Sequence, residues 1–143
     1  MKAVFSKRRT AAMLALTAGL FTAGAAVADP CDGAKSGMAV VKFETGSTAI
    51  NAEDQKRIKN FASRSLRSPR ICLLGQADAQ GDESANRRLA EARVEKVRRQ
   101  LIASGARADR IETHIQDKQF TLFGLLDEDQ ANDRRVLMGY QRD

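Results

Sequence analysis

The fold of this chain is indicated by one stretch of its sequence, Leu73-Leu74-Gly75-Gln76-Ala77-Asp78-Ala79-Gln80-Gly81. A short apolar run ends at a glycine, an aspartate follows in a glycine-bounded loop, and a long charged segment begins. This order is typical of a strand, a turn and a helix, with polar groups placed where the strand stops. The carboxyl end of a strand is a common ligand position in folds that combine strands with helices.

The charged segment predicts a helix from Glu83 to Ser104, with Gly105 in the position that commonly ends a helix. At about 100° per residue, four apolar residues share one sector and form the predicted core face. They are Ala90, Val94, Val97 and Leu101. The opposite sector is charged and predicted to be solvated, with Arg88, Glu91, Glu95, Arg98 and Arg99.

Three polar residues spaced by seven, Asn86, Arg93 and Gln100, form a stripe inside the apolar sector. A guanidinium held there needs a partner, because an unpaired buried charge is costly. Two structural interpretations of Arg93 stay open: an ion pair with a carboxylate, or a side chain whose charged end reaches solvent. The third interpretation is a role in ligand binding.

Residues 1–28 read as a signal peptide, with a basic start, an apolar stretch at 11–25 and the cleavage site Ala26-Val27-Ala28. A retained membrane anchor is the alternative. The remaining 115 residues suit one domain, predicted at 38–143 after a short segment at 29–37. Residues 1–28 hold four of the 24 Lys and Arg and none of the 18 Asp and Glu, so the formal charge falls from +6 to +2. That charge and export argue against a nucleic-acid partner.

Cys31 and Cys72 are the only two cysteines, and an even count in an exported protein favours a disulfide. Each lies near the start of a predicted strand, so the bridge is geometrically plausible if those two strands are parallel. Neither cysteine has a nearby histidine or a Cys-x-x-Cys spacing, which argues against thiol catalysis and against a metal site.

Strands are predicted at Met38–Phe43, at Arg70–Leu74, around the alternating residues 111, 113 and 115, and at Val136–Tyr140. Asn51 is a good N-cap for a first helix. The apolar face of that helix is predicted to contain Ile58, Phe61, Ala62 and Leu66. The order β-α-β-α-β-β predicts an α+β sandwich of two layers, with a mixed four-stranded sheet covered on one face by two helices.

The connection before the last strand contains the apolar run Phe120-Thr121-Leu122-Phe123-Gly124-Leu125-Leu126. An apolar run of this kind in a loop either covers an end of the core or forms an exposed surface for a partner. If the run is exposed, it could bind an outer-membrane or periplasmic protein through Phe120, Leu122 and Phe123.

From about residue 38 to residue 140, the chain resembles the OmpA-like carboxy-terminal domain family. The resemblance rests on the stretch 75–81, on Asn86, Leu89, Ala92-Arg93 and Arg134-Arg135-Val136, and on the spacings from Asp78 to Asn86 and to Arg93. It implies non-covalent binding of peptidoglycan through the diaminopimelate of the stem peptide, in the periplasm of a Gram-negative bacterium, with a peripheral position at the outer membrane as the alternative.

The resemblance also implies the binding residues, which are Asp78, Arg93, Asn86 and Glu44. Diaminopimelate carries an ammonium and a carboxylate on one carbon, so Asp78 can take the ammonium and Arg93 the carboxylate in a bidentate fork. Glu44 has the alternative of being an ordinary loop acid. The chain departs from the family pattern at five places: Glu44 for aspartate, Gln76 for histidine, Ala77 for threonine, Asp133 for asparagine, and the apolar run at 120–126 for a loop with Gly and Pro.

Three functions compete at this point: a module that binds the cell wall, an interaction module of the same fold with weak or lost peptidoglycan binding, and a periplasmic enzyme. His114 is the only histidine, and no nucleophile–base set or metal cluster is evident in the sequence. We therefore expect no catalysis, no cofactor and no metal. Asp78 and Arg93 together favour the wall-binding module.

Overall fold

The computed structural model describes residues 29–77, 81–116 and 134–143 of the chain. Two α-helices, α1 (Ala52–Arg64) and α2 (Glu83–Ala103), alternate with the first strands. The strands are β1 (Ser36–Lys42), β2 (Ile71–Gln76), β3 (Ile111–Gln116) and β4 (Arg135–Tyr140), and a 3-10 turn at Ala108–Arg110 leads into β3. The predicted order β-α-β-α-β-β is confirmed.

The four strands form one mixed sheet in the order β1-β4-β2-β3. β4 pairs antiparallel with both β1 and β2, and β2 pairs parallel with β3. β1 and β2 therefore run in the same direction on either side of β4. Alternate strand residues point to the face that carries both helices. The core lies between the two layers and contains, among others, Val41, Leu73, Val136 and Met138 from the sheet with Ile58, Phe61, Val97 and Leu101 from the helices.

Helix α1 begins as the sequence predicts, because the Asn51 side chain accepts the backbone N–H of Asp54 at 2.8 Å. It ends earlier than the apolar spacing indicates. The last helical residue is Arg64, and Ser65 closes the helix by donating from N and Oγ to the Phe61 carbonyl. Leu66 was expected on the buried face, and that prediction is wrong: Leu66 is 53% exposed, since helical periodicity no longer holds beyond residue 64.

Helix α2 has the predicted core face, with Ala90, Val94, Val97 and Leu101 all buried. The helix lies close to β2 because Gly75 has no side chain: a Cβ there would be 2.4 Å from Val94 Cγ2. The predicted end of β2 at Leu74 is wrong. β2 continues through Gly75 and Gln76, which pair with Ile115 and Gln116 of β3.

The predicted disulfide is confirmed: Cys31 and Cys72 are bonded, with 5.6 Å between their Cα atoms. The parallel direction of β1 and β2 brings the two cysteines to one end of the sheet. Arg70 also holds the segment before β1, donating to the carbonyls of Asp32 at 2.7 Å and Pro30 at 2.8 Å.

Candidate functional site

Arg93 is the polar stripe residue that the fold buries most deeply, with 2% of its surface exposed. Its Nε donates to the Ser47 carbonyl at 2.9 Å and its Nη2 to the Glu44 carbonyl at 3.0 Å. Its Cζ lies 5.3 Å from the centroid of the Phe43 ring, within cation–π range. The guanidinium therefore joins α2 to the loop that follows β1. The interpretation that its charged end reaches solvent is wrong.

The loop that Arg93 holds is a tight turn from Glu44 to Ser47. The Ser47 N–H donates to the Glu44 carbonyl at 3.0 Å, so that this one oxygen accepts from both the turn and Arg93. The Glu44 residue is exposed. Its backbone is thus fixed beside Arg93 while its side chain remains accessible to a ligand. The sequence pointed to Glu44 as an acid, but it gave no indication of the role of its carbonyl.

Asn86 lies in the first turns of α2 and is half-buried. Asp82 caps this end of the helix, its carboxylate accepting the backbone N–H groups of Ser84 at 2.8 Å and Ala85 at 3.1 Å. These hydrogen bonds, with one from the Ser84 hydroxyl, hold the pKa of Asp82 below its usual value. Asn86 and Arg93 are seven residues apart, about 10 Å along the helix, and share one side of it.

Asp78 lies outside the described residues, as do Phe120, Leu122, Phe123 and residues 1–28. The residue before Asp78 is Ala77, whose N–H lies 3.4 Å from the Gln116 carbonyl at the end of β3. The structure thus brings together Arg93, Glu44 and the helix that carries Asn86. The position of Asp78 relative to them stays a prediction from the sequence.

Gln76, which stands where the family pattern has histidine, has a partner in β4. Its Oε1 accepts a hydrogen bond from Arg135 Nε. The residues of β2 that face the helices are Ile71, Leu73 and Gly75, so by strand alternation Gln76 lies on the opposite face from Arg93. The substitution at this position therefore changes the outer face of the sheet.

Sequence reasoning missed two parts of this site, the Phe43 ring and the carbonyls of Glu44 and Ser47. A signal for Phe43 was present, because it follows Ala39 and Val41 on the alternating, buried face of β1. No local pattern could indicate the two carbonyls, which lie 49 and 46 residues before Arg93 in the chain.

Other kinds of site find little support in the part of the chain that is described. Its His, Cys, Asp and Glu residues include no group of three or more placed to hold a metal ion. None of the helices described is long and apolar enough to cross a membrane. A shallow recess of about 90 Å³ lies between α2 and β3, lined by Glu91, Val94, Glu95, Thr113 and Ile115. It is far smaller than typical ligand pockets and does not include Arg93.

The fold and this site define a class: an α+β domain in which a buried arginine of the second helix grips the loop after the first strand. The family model of the OmpA family matches residues 42–133, and the chain belongs to that family. A search of curated protein sequences found no match.

Solved structures with the same fold include three named proteins. The peptidoglycan-associated lipoprotein from Burkholderia pseudomallei is 27% identical, with a TM-score of 0.60 over 71% of this chain and 89% of that one. The C-terminal domain of Helicobacter pylori MotB is 20% identical, with a TM-score of 0.60 over 73% and 85%. The OmpA-like domain of FopA1 from Francisella tularensis is 21% identical, with a TM-score of 0.58 over 73% and 71%.

Proposed function

We propose that this protein binds peptidoglycan without covalent attachment, gripping the diaminopimelate of the stem peptide in the periplasm of a Gram-negative bacterium. In this proposal Arg93 binds the carboxylate of the zwitterionic end and Asp78 its ammonium. Asn86 adds a hydrogen bond to the same group, and Glu44 lies at the rim of the site.

The observation that carries the proposal is the fixed orientation of Arg93. Nε and one N–H of Nη2 are used by the carbonyls of Ser47 and Glu44, and the Phe43 ring lies against the guanidinium. A guanidinium has five N–H donors in a planar fork. With Nε and Nη2 anchored to the loop, the guanidinium plane has one fixed orientation, and a fixed binding group lowers the entropy cost of binding.

The similarity to a protein named peptidoglycan-associated lipoprotein, at 27% identity, supports the same ligand class. We propose binding and not catalysis, because the only histidine lies away from this site. His114 is in β3, at the opposite edge of the sheet from β1, with its Nε2 3.7 Å from the Glu112 carboxylate.

The test is co-sedimentation of the mature protein with insoluble peptidoglycan sacculi. Wild type should pellet with sacculi that contain diaminopimelate and much less with sacculi that contain lysine, which lacks the second carboxylate. Arg93→Ala and Asp78→Asn should each lose binding by tenfold or more, since each removes one charge-assisted contact. Arg93→Lys should rescue little, because a point ammonium does not reproduce the fork.

The matched control is Arg99→Ala, which removes an arginine from the same helix at a side chain that is 67% exposed. It should bind as wild type does. Circular dichroism must show that every variant is folded. Folded Arg93→Ala and Asp78→Asn variants that sediment like wild type would overturn the site. Failure of the wild type itself to sediment would favour the alternative, an interaction module of this fold.

A further inference from the structure

Arg134, the residue before β4, and Arg135, the first residue of β4, lie on different faces of the sheet. Arg135 pairs with Lys42 of β1 and donates to Gln76 on the outer face. Arg134 precedes it by one residue, so its side chain belongs to the helix-covered face, as that of Val136 does. The sequence motif therefore contains two arginines with different surroundings.

Arg134 lies directly across from Phe43, whose N–H donates to the Arg134 carbonyl at 2.9 Å. The Phe43 ring also contacts the guanidinium of Arg93. Phe43 thus has Arg93 of α2 against its ring and the backbone of Arg134, the residue before β4, beside its own backbone. Arg134 is half-buried, and its Nε is shielded from solvent with no hydrogen-bond partner in the structure as described.

We propose that Arg134 is a second anion-binding residue of this site and takes a second carboxylate of the ligand. The inference rests on the proposed function, which supplies the ligand class. In a stem peptide the D-glutamate before diaminopimelate is joined to it through its γ-carboxyl group, so the α-carboxylate of that residue stays free beside diaminopimelate. Arg134 therefore distinguishes stem peptides in which that carboxylate is free from those in which it is an amide.

A buried N–H donor without a partner is costly, and a carboxylate oxygen would supply the missing acceptor. An uncharged amide would gain less from the guanidinium, because charge-assisted hydrogen bonds are about twice as strong as neutral ones. Arg93 and Arg134 would then bind two separate carboxylates of one ligand.

The test uses isothermal titration of the mature protein with two soluble peptides that both end in an amide, L-Ala-γ-D-Glu-diaminopimelate-D-Ala-NH2 and the same peptide with the D-glutamate α-carboxylate also amidated. Wild type should bind the free acid about tenfold more tightly than the amide. Arg134→Gln should bind both peptides about equally, at the level of wild type with the amide. Arg134→Lys should regain part of the difference, because it restores the charge without the geometry.

Arg135→Gln is the matched control, since it removes the neighbouring arginine from the opposite face. Arg135→Gln should still bind the free acid about tenfold more tightly than the amide, as wild type does. A preference that persists in folded Arg134→Gln, or a wild type that binds both peptides equally, would overturn the inference and leave the proposed function intact. A wild type that binds neither peptide nor sacculi would overturn the proposed function itself.

Discussion

Arg93 Nε lies 2.9 Å from the Ser47 carbonyl oxygen, so that a buried charge of α2 holds the loop after β1. Removing it should affect stability as well as binding. Arg93→Ala leaves the Ser47 and Glu44 carbonyls without this donor and opens a cavity beside Phe43, so we expect a loss of about 2–4 kcal/mol. Urea unfolding measures this loss, and Arg99→Ala, the exposed control, should change the free energy of unfolding by less than about 0.5 kcal/mol.

Edge strand β1 has some of its outward backbone groups bonded to α1. Asp54 is 3% exposed and accepts the Lys42 N–H at 3.2 Å, while Arg57 Nη1 donates to the Val40 carbonyl at 2.8 Å. Arg57→Ala should free the Val40 carbonyl and allow association through β1, because an open strand edge pairs with other strands. Sedimentation velocity at high concentration should detect dimers of this variant and none of Lys56→Ala, which changes an exposed residue of the same helix. A strictly monomeric Arg57→Ala would show that the contact has no such role.

Gly139 in β4 allows the segment before β1 to cross the sheet closely. A Cβ at this position would lie 2.1 Å from the backbone oxygen of Ala34. Gly139→Ala should therefore displace that segment and lower the free energy of unfolding by about 1–3 kcal/mol. In a variant that starts at Ser36, and so lacks that segment, Gly139→Ala should lower the free energy of unfolding much less. An equal loss in the full-length and shortened proteins would show that the cost does not come from the contact with Ala34.

The Cys31–Cys72 bond closes a loop with a sequence separation of 41. On the chain-entropy model, a loop of this length stabilises the folded state by about 4 kcal/mol. The double variant Cys31→Ser/Cys72→Ser should lose most of that amount in chemical unfolding. Thiol titration of the denatured, unreduced wild type should find no free thiol, and two free thiols would contradict the bond.

Asp82 should make stability depend on pH at the acid end. Hydrogen bonds from Ala85 and Ser84 lower its pKa in the folded state, so its carboxylate cap contributes fully above about pH 4 and is lost as the pH falls further. Asp82→Asn can still cap the helix but does not titrate. The variant should lose less stability than wild type between pH 5 and about pH 3 in urea unfolding. If Asp82→Asn loses as much free energy of unfolding as wild type between these two pH values, the acid sensitivity belongs to other carboxylates.

Local patterns in the sequence determined most of the helices and strands. Three features that depend on residues within a few turns of one another are found where predicted. They are the stripe at Asn86 and Arg93, the core face of α2, and the Asn51 cap. The even cysteine count favoured the disulfide, and the parallel direction of β1 and β2, on which the prediction depended, came from the structure. The end of α1 could not be placed in this way, because the apolar spacing continued to Leu66 after the helix had stopped at Arg64.

The long-range partners of the buried charges were decided by the tertiary structure alone. Arg93 is held by backbone oxygens of residues 44 and 47, and Asp54 binds the backbone of Lys42. Every residue has the same backbone carbonyl, and every residue except proline has the same N–H, so side-chain identity cannot indicate which of these groups will bond to a given arginine or aspartate. Only the strand order β1-β4-β2-β3 and the packing of both helices on one face bring these groups within hydrogen-bond distance.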